Sequence, residues 1–201
     1  MLNLDGSTPS TRPLGPGSQL FCSDCHNADD NREFGGAGPN GPHGSQYDHI
    51  LERRYEFSQV AVAAGPGTPI QNIFPNPDLS AGGASPGPYA LCAKCHDLSK
   101  VMTTASFSLP GGESGHLVHV SQVGASCSTC HTAHGMGSLS ATISGERLVN
   151  FDANVVAPNG ATAISYSHST NTCVLACHGY NHNSDGTVSA MGQTQAGTGA
   201  N

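Results

Sequence analysis

The chain has 201 residues, enough for one domain or two small ones with real cores. Only 36% of residues are hydrophobic, 5% aromatic and 10% charged, and Trp is absent, so side chains alone supply little material for a conventional interior. A net charge of -7 with only seven Lys and Arg excludes a nucleic-acid footprint and makes an anionic membrane surface a poor partner, and no apolar run reaches the ~18 residues that a membrane helix needs.

In chain order, the opening MLNLDGSTPSTRPLGPG has neither a charged n-region nor an apolar h-region; for an exported chain, the expectation is a leader removed before residue 1. Gly and Pro, 26 and 13 residues, predict a mostly irregular, loop-rich backbone with few short strands. Cys22-Ser-Asp-Cys25-His26 comes first, followed by NADDNREFGG, residues 27–36, whose Asp29, Asp30 and Glu33 could bind calcium but lack the spacing of a calcium loop and read better as a solvated turn. A helix is expected from His49 to Phe57, where Leu51 and Tyr55 share a face, and strands at Gln59–Ala63 and Arg147–Phe151. Segments 64–89 and 152–165 read as loops, marked by Pro66, Pro69, Pro75, Pro77, Pro86, Pro88 and Pro158. From Asn183 to Asn201 the chain is polar, with almost nothing apolar to dock it, and a frayed tail is expected.

All eight cysteines fall into four pairs, each followed at once by histidine: Cys22/Cys25-His26, Cys92/Cys95-His96, Cys127/Cys130-His131 and Cys173/Cys177-His178. Three are C-x-x-C-H, the pattern of covalent c-type haem attachment, and the fourth carries one extra residue. Two thiols about one helical turn apart can bond the two vinyl groups of a porphyrin, and the next residue brings an imidazole under the iron as proximal ligand. Short helical turns are therefore expected at each motif, with four haems forming the core of a single domain over residues 1–201. Zinc ribbons use C-x-x-C pairs but need no histidine directly after the second cysteine. A disulfide framework leaves the trailing histidines unexplained.

Eleven histidines are present, and seven remain once His26, His96, His131 and His178 serve as proximal ligands: His43, His49, His116, His119, His134, His168 and His182. Four distal ligands complete four bis-histidine irons, which leaves three to spare and no open position for substrate. The distal candidates are His43, His116, His119, His134 and His182. His168 and His49 are the first to be set aside as surface residues, and then His116 or His182. His116 and His119, three apart, share a face on a helix and could serve two neighbouring irons. His134 and His182 follow a proximal ligand by three and four residues and would more easily reach a neighbouring haem than close their own. Met102, Met136 and Met191 could replace a distal histidine but are more simply apolar fillers.

A weak internal repeat joins CSDCH with GPHGS at 22–45 and CSTCH with TAHGMGS at 127–138, each followed by a second motif, which suggests two haem pairs, at about 22–96 and 127–178. The series CSDCH, GPHGS, CAKCH, HLVHV, CSTCHTAHG and CVLACHGYNH, over residues 22–182, resembles the multihaem c-type cytochromes of metal-reducing microbes, and most closely their extracellular tetrahaem filament cytochromes. The resemblance implies bis-histidine irons, haems in alternating stacked and T-shaped contact, and head-to-tail polymerisation with one iron ligated by a histidine of the next subunit. It further implies secretion to the cell surface and electron transfer with donor and acceptor proteins or minerals, as an electron-transfer protein and not an enzyme. The extra residue of the fourth motif departs from the family pattern. A monomeric periplasmic tetrahaem carrier and, further off, a multihaem reductase are the alternative readings.

Overall fold

The computed structural model describes residues 19–55, 87–103, 107–109, 111–134 and 146–191. Residues 19–55 and 87–103 make one compact unit, and 107–109, 111–134 and 146–191 make a second. The first unit holds the motifs ending at His26 and His96, the second those ending at His131 and His178.

In the first unit, the 3-10 turn Cys22–Asp24 forms because the Asp24 carboxylate accepts the Phe21 amide at 2.7 Å, satisfying a donor that the turn itself leaves open. Helix α1, Ala90–Ala93, is a run of good helix formers around Cys92. Helix α2, Leu98–Thr103, starts where Asp97 accepts the Lys100 amide at 3.2 Å, and it buries Leu98 and Met102 on one face. Around the motifs the interior is polar. The Lys94 ammonium, 2.9 Å from the Glu52 carboxylate, also donates to the Asp24 carbonyl at 2.5 Å, and Asn27 donates to the same Glu52 oxygen at 3.2 Å. Lys94 and Glu52 side chains are each only 2% exposed, so charge pairing compensates their desolvation.

The second unit holds a π-helix, Leu117–Val123, helix α3, Cys127–Cys130, and a four-stranded antiparallel meander: β1 Ser165–Ser167, β2 Thr172–Cys177, β3 Tyr180–His182 and β4 Val188–Ala190. The π-helix closes on Gly124, at φ 85° in the left-handed region, with the Ala125 amide bonded to the His119 carbonyl at 2.8 Å. Ala125, Val149, Phe151, Val155, Val156, Leu175 and Cys177 form a buried apolar cluster, with Cys130 and Cys173 packed against it.

Four sequence expectations are corrected. The fourth attachment motif is a strand, not a helical turn: Thr172 and Val174 are β-branched, and β2 pairs with β1 through Tyr166↔Cys173 and with β3 through Cys177↔Tyr180. The expected helix from His49 is a single 3-10 turn, Asp48–Ile50, after which Leu51 pairs with His26 and the Glu52 amide bonds the Cys25 carbonyl at 2.8 Å. Those cross-chain bonds take the amides that a helix would use. The expected strand from Arg147 likewise begins as a 3-10 turn, Glu146–Leu148, and only Val149 bridges, to His131. Finally, the start of the polar tail is not frayed. Its Asn183 amide bonds the Thr187 carbonyl at 2.9 Å, Gly186 supplies a left-handed turn at φ 81°, and β4 registers on β3. Gln59–Ala63, Met136 and residues 192–201 lie outside the described residues.

Candidate cofactor-attachment site

The three standard motifs share one local geometry. The histidine amide donates to the carbonyl of the first cysteine: His26 to Cys22 at 2.7 Å, His96 to Cys92 at 3.0 Å and His131 to Cys127 at 2.9 Å. This is the i to i−4 bond of a helical turn, and it sets the two thiols one turn apart, the spacing that attachment to a single porphyrin requires. In the fourth motif β2 puts Cys173 and Cys177 on the same strand face about 13 Å apart along the chain axis. A helical i, i+3 pair stands only about 5–6 Å apart. The first three motifs fit two thioether bonds to one macrocycle; the thiols of the fourth, as folded on β2, do not.

Two of the motif histidines are held by contacts that the spacing of the motifs does not reveal. His26 Nδ1 lies 2.7 Å from the His49 carbonyl, and His131 Nδ1 lies 3.0 Å from the Arg147 carbonyl. Neutral imidazole that donates from Nδ1 keeps its lone pair on Nε2, the arrangement that orients a histidine towards a metal. The two carbonyl-bearing turns are copies of one another. Asp48-His49-Ile50-Leu51-Glu52 and Glu146-Arg147-Leu148-Val149-Asn150 both read acid, base, aliphatic, aliphatic, polar. His49, Ile50, Arg147 and Leu148 all have φ between 54° and 60°; Leu51 and Val149 are buried, and Ile50 and Leu148 stay exposed. Left-handed backbone at a β-branched residue such as Ile50 is costly and belongs to sites where the surroundings impose it. The repeated five-residue pattern was the available signal. Phe21 and Ile50 beside the first motif, and Leu148 beside the third, are exposed apolar side chains.

Of the distal candidates, His116, His119 and His182 gather in the second unit, with the motif histidines His131 and His178. His116 and His131 rings lie near-parallel at 18°, centres 6.3 Å apart; His119 and His182 centres are 6.1 Å apart, and His178 and His182 5.7 Å apart. His116 and His119, at the start of the π-helix, address different rings, His131 and His182. Phe107 packs on both, edge-on to His116 and stacked on His119, and a Cβ at Gly115 would run into its ring. His119 Nδ1 is anchored 2.7 Å from the Gly115 carbonyl.

Three ring nitrogens here are buried without a hydrogen-bond partner: His116 Nδ1, His178 Nε2 and His182 Nε2. Burial and the neighbouring imidazoles lower the pKa values of His116, His178 and His182, that of His182 to about 4; burial lowers that of His119 against the opposing effect of its Gly115 bond. All four are therefore neutral at neutral pH, the protonation state of an iron ligand. Burial pushes the Cys130 thiol well up, and those of Cys173 and Cys177 to about 11. All eight cysteines are free thiols.

The other candidates are dispersed. His43, His96, His134 and His168 are exposed, with the His43 ring folded over Gly41 and His168 in the β1–β2 turn; His49 takes part through its backbone carbonyl. Met102 is buried on α2 and Met191 follows β4. Asp29 accepts the Gln46 amide, and among the described residues no three His, Cys, Asp or Glu side chains are grouped to hold a metal ion by themselves. No described helix is long and apolar enough to cross a membrane. No family model matches the chain, and no curated protein and no solved structure matches it at a significant level.

Proposed function

We propose that the chain is an electron-transfer protein that carries covalently attached c-type haems at the three cysteine-histidine motifs that fold as helical turns, and serves as a subunit of an extracellular cytochrome filament. The observation that supports this reading most is the identical closure of three C-x-x-C-H turns, two of them with the histidine oriented by a backbone carbonyl from a duplicated left-handed turn. Haem, when bound, supplies a one-electron iron couple.

The chain's own residues do the rest. Cys22 with Cys25, Cys92 with Cys95 and Cys127 with Cys130 tether; His26, His96 and His131 ligate. His49 and Arg147 carbonyls fix the ring orientation of two of these ligands, which also raises their basicity. His116, whose ring lies near-parallel to that of His131 with centres 6.3 Å apart, would be the second histidine to hold the third motif's iron. An iron held by two imidazoles would have no position left for substrate, which favours outer-sphere electron exchange over catalysis.

The filament rests on the resemblance of the motif series. Polymerisation follows where a head-to-tail interface does not close on itself. Mass spectrometry of the mature chain, with visible spectroscopy, tests the haem reading: added tetrapyrrole mass and a Soret band are expected, and their absence overturns it. Electron microscopy of native material tests the assembly. Long polymers are expected, whereas particles of about the 20.5 kDa chain mass indicate a monomeric carrier.

A further inference from the structure

The first and second motifs meet at equivalent positions. Asp24 and Lys94 each precede the second cysteine of their C-x-x-C-H turn, and the Lys94 ammonium donates to the Asp24 carbonyl at 2.5 Å across a sequence separation of 70 residues. The same ammonium lies 2.9 Å from the Glu52 carboxylate. The Glu52 amide in turn bonds the Cys25 carbonyl at 2.8 Å, and the Leu91 amide, next to the second motif, bonds the Arg54 carbonyl at 3.0 Å. Segment 52–54 therefore holds both turns by backbone bonds, and Lys94 joins the turns directly. Electrostatic interaction links the Cys25 thiol with Cys92 and the Cys95 thiol with Cys25, so sulfurs of the two motifs are near neighbours. At the same position the third motif has Thr129, whose hydroxyl lies 3.4 Å from that of Ser126 just ahead of its own turn, and the fourth has Ala176.

Stability alone is a poor reason for a lysine here. Lys94 is 1% exposed, although lysine is almost never fully buried unless paired. A buried ion pair gains little over apolar side chains of similar volume, because desolvation offsets the Coulomb attraction. What it adds is direction: an ammonium in the interior must place its donors on fixed acceptors, and so holds the Asp24 carbonyl at hydrogen-bond length, which an apolar contact does not do. Electron exchange between two tethered groups falls steeply with their separation, so a fixed link between the tethers bears on function.

We propose that Lys94 is a positioning residue for electron exchange between the first two attachment sites: by bonding the Asp24 carbonyl it fixes the turn that holds one cofactor against the turn that holds the other. The assignment rests on the haem reading above and goes beyond it in naming the residue that sets the mutual placement of two sites. Its test compares the full chain, matured with haem in a host that attaches it, with three variants: Lys94→Met, Lys94→Met combined with Glu52→Leu, and Lys100→Met, which removes the same charge from an exposed lysine of α2. Haem at each motif is read by mass spectrometry of peptides, stability by denaturant unfolding, and haem placement by the two-signed Soret couplet that closely spaced haems give in circular dichroism.

The double variant separates placement from stability, since it restores an apolar interior but leaves the Asp24 carbonyl without its ammonium. It is expected to keep the wild-type haem count and most of the stability while losing or inverting the couplet. Lys94→Met should show the same change of couplet together with lost stability, and Lys100→Met no change; should Lys94→Met not mature, the double variant decides. A wild-type couplet in the double variant overturns the positioning role and leaves Lys94 a structural residue. Loss of haem from the double variant also overturns it, because Lys94 would then serve attachment, and so does an equal change in Lys100→Met, which would trace the effect to charge alone. A wild-type chain with haem but no couplet overturns it as well. A wild-type chain with no haem overturns the haem reading itself, so the two failures are distinguishable.

Discussion

The two units solve the shortage of apolar side chains differently. In the first, the centre between the motifs is a buried charge: Lys94, from within the second motif, reaches Glu52 and the Asp24 carbonyl of the first, with Asn27 completing the network. In the second, aliphatic residues and Phe151 cluster around Cys177, and Cys130 and Cys173 pack on that cluster. The comparison teaches that a tether built on the same histidine-to-carbonyl clamp tolerates either a polar or an apolar interior. What it does not tolerate is a loose partner segment, because both clamps rely on a left-handed turn held by neighbouring backbone bonds.

The contrast predicts large and different costs. Lys94→Met leaves buried Glu52 with only Arg53, at 3.5 Å, as a charged partner and should lose about 3 kcal/mol of stability, whereas Lys94→Met combined with Glu52→Leu should recover most of it. Denaturant unfolding of the three variants checks this, and a single-variant cost below ~1 kcal/mol would show that the polar centre is not structural. In the second unit Phe151→Ala should cost a similar amount, about 3–5 kcal/mol, through cavity formation, and no second substitution at a charged site should rescue it.

Acid should strike the second unit of the chain before haem is attached, while its imidazoles are unligated. The pKa of His182 is depressed to about 4, so the unfolded chain binds a proton there before the folded chain does. The stabilisation is fully present above the ordinary histidine pKa of 6.5 and is lost as the pH falls towards 4, by on the order of 3 kcal/mol for this one group. His116, His119 and His178 add to the loss in the same direction. Unfolding midpoints measured between pH 7 and pH 4 should fall steadily, and a flat profile would remove buried neutral imidazole from the account. The smallest expected effect is at the end of the π-helix. Gly124→Ala places a Cβ at φ 85° and should cost about 1–2 kcal/mol, read as a lowered melting temperature with the spectrum of any bound haem unchanged.

How far the sequence carried differs from residue to residue. The four cysteine-histidine motifs were plain from spacing, and three of them fold as turns because only local i to i−4 bonding is needed to form them. The repeated pattern at 48–52 and 146–150 was also present in the sequence but was not legible, since its meaning lies in backbone carbonyls, which every residue has. Over its described residues the helix expected at 49–57 is broken by left-handed backbone at His49 and Ile50 and by the Glu52 amide bonding the distant Cys25 carbonyl, and the strand expected at 147–151 is cut to one bridge by left-handed backbone at Arg147 and Leu148. The polar residues after Asn183 were read as a tail because they have little to bury, whereas their side chains and Gly186 build a hairpin that needs no burial.

By itself, the sequence determined the chemistry on offer: eight thiols in four pairs, each with an imidazole after it, and a surplus of histidines. Covalent order guarantees that those groups are neighbours in any fold. Only the tertiary structure decided which imidazoles face each other, how His26 and His131 are oriented, and that the fourth motif extends as a strand. These depend on contacts between segments far apart in the chain, and one added residue in CVLAC, with β-branched neighbours and a sheet edge to pair with, was enough to turn a helical turn into β2.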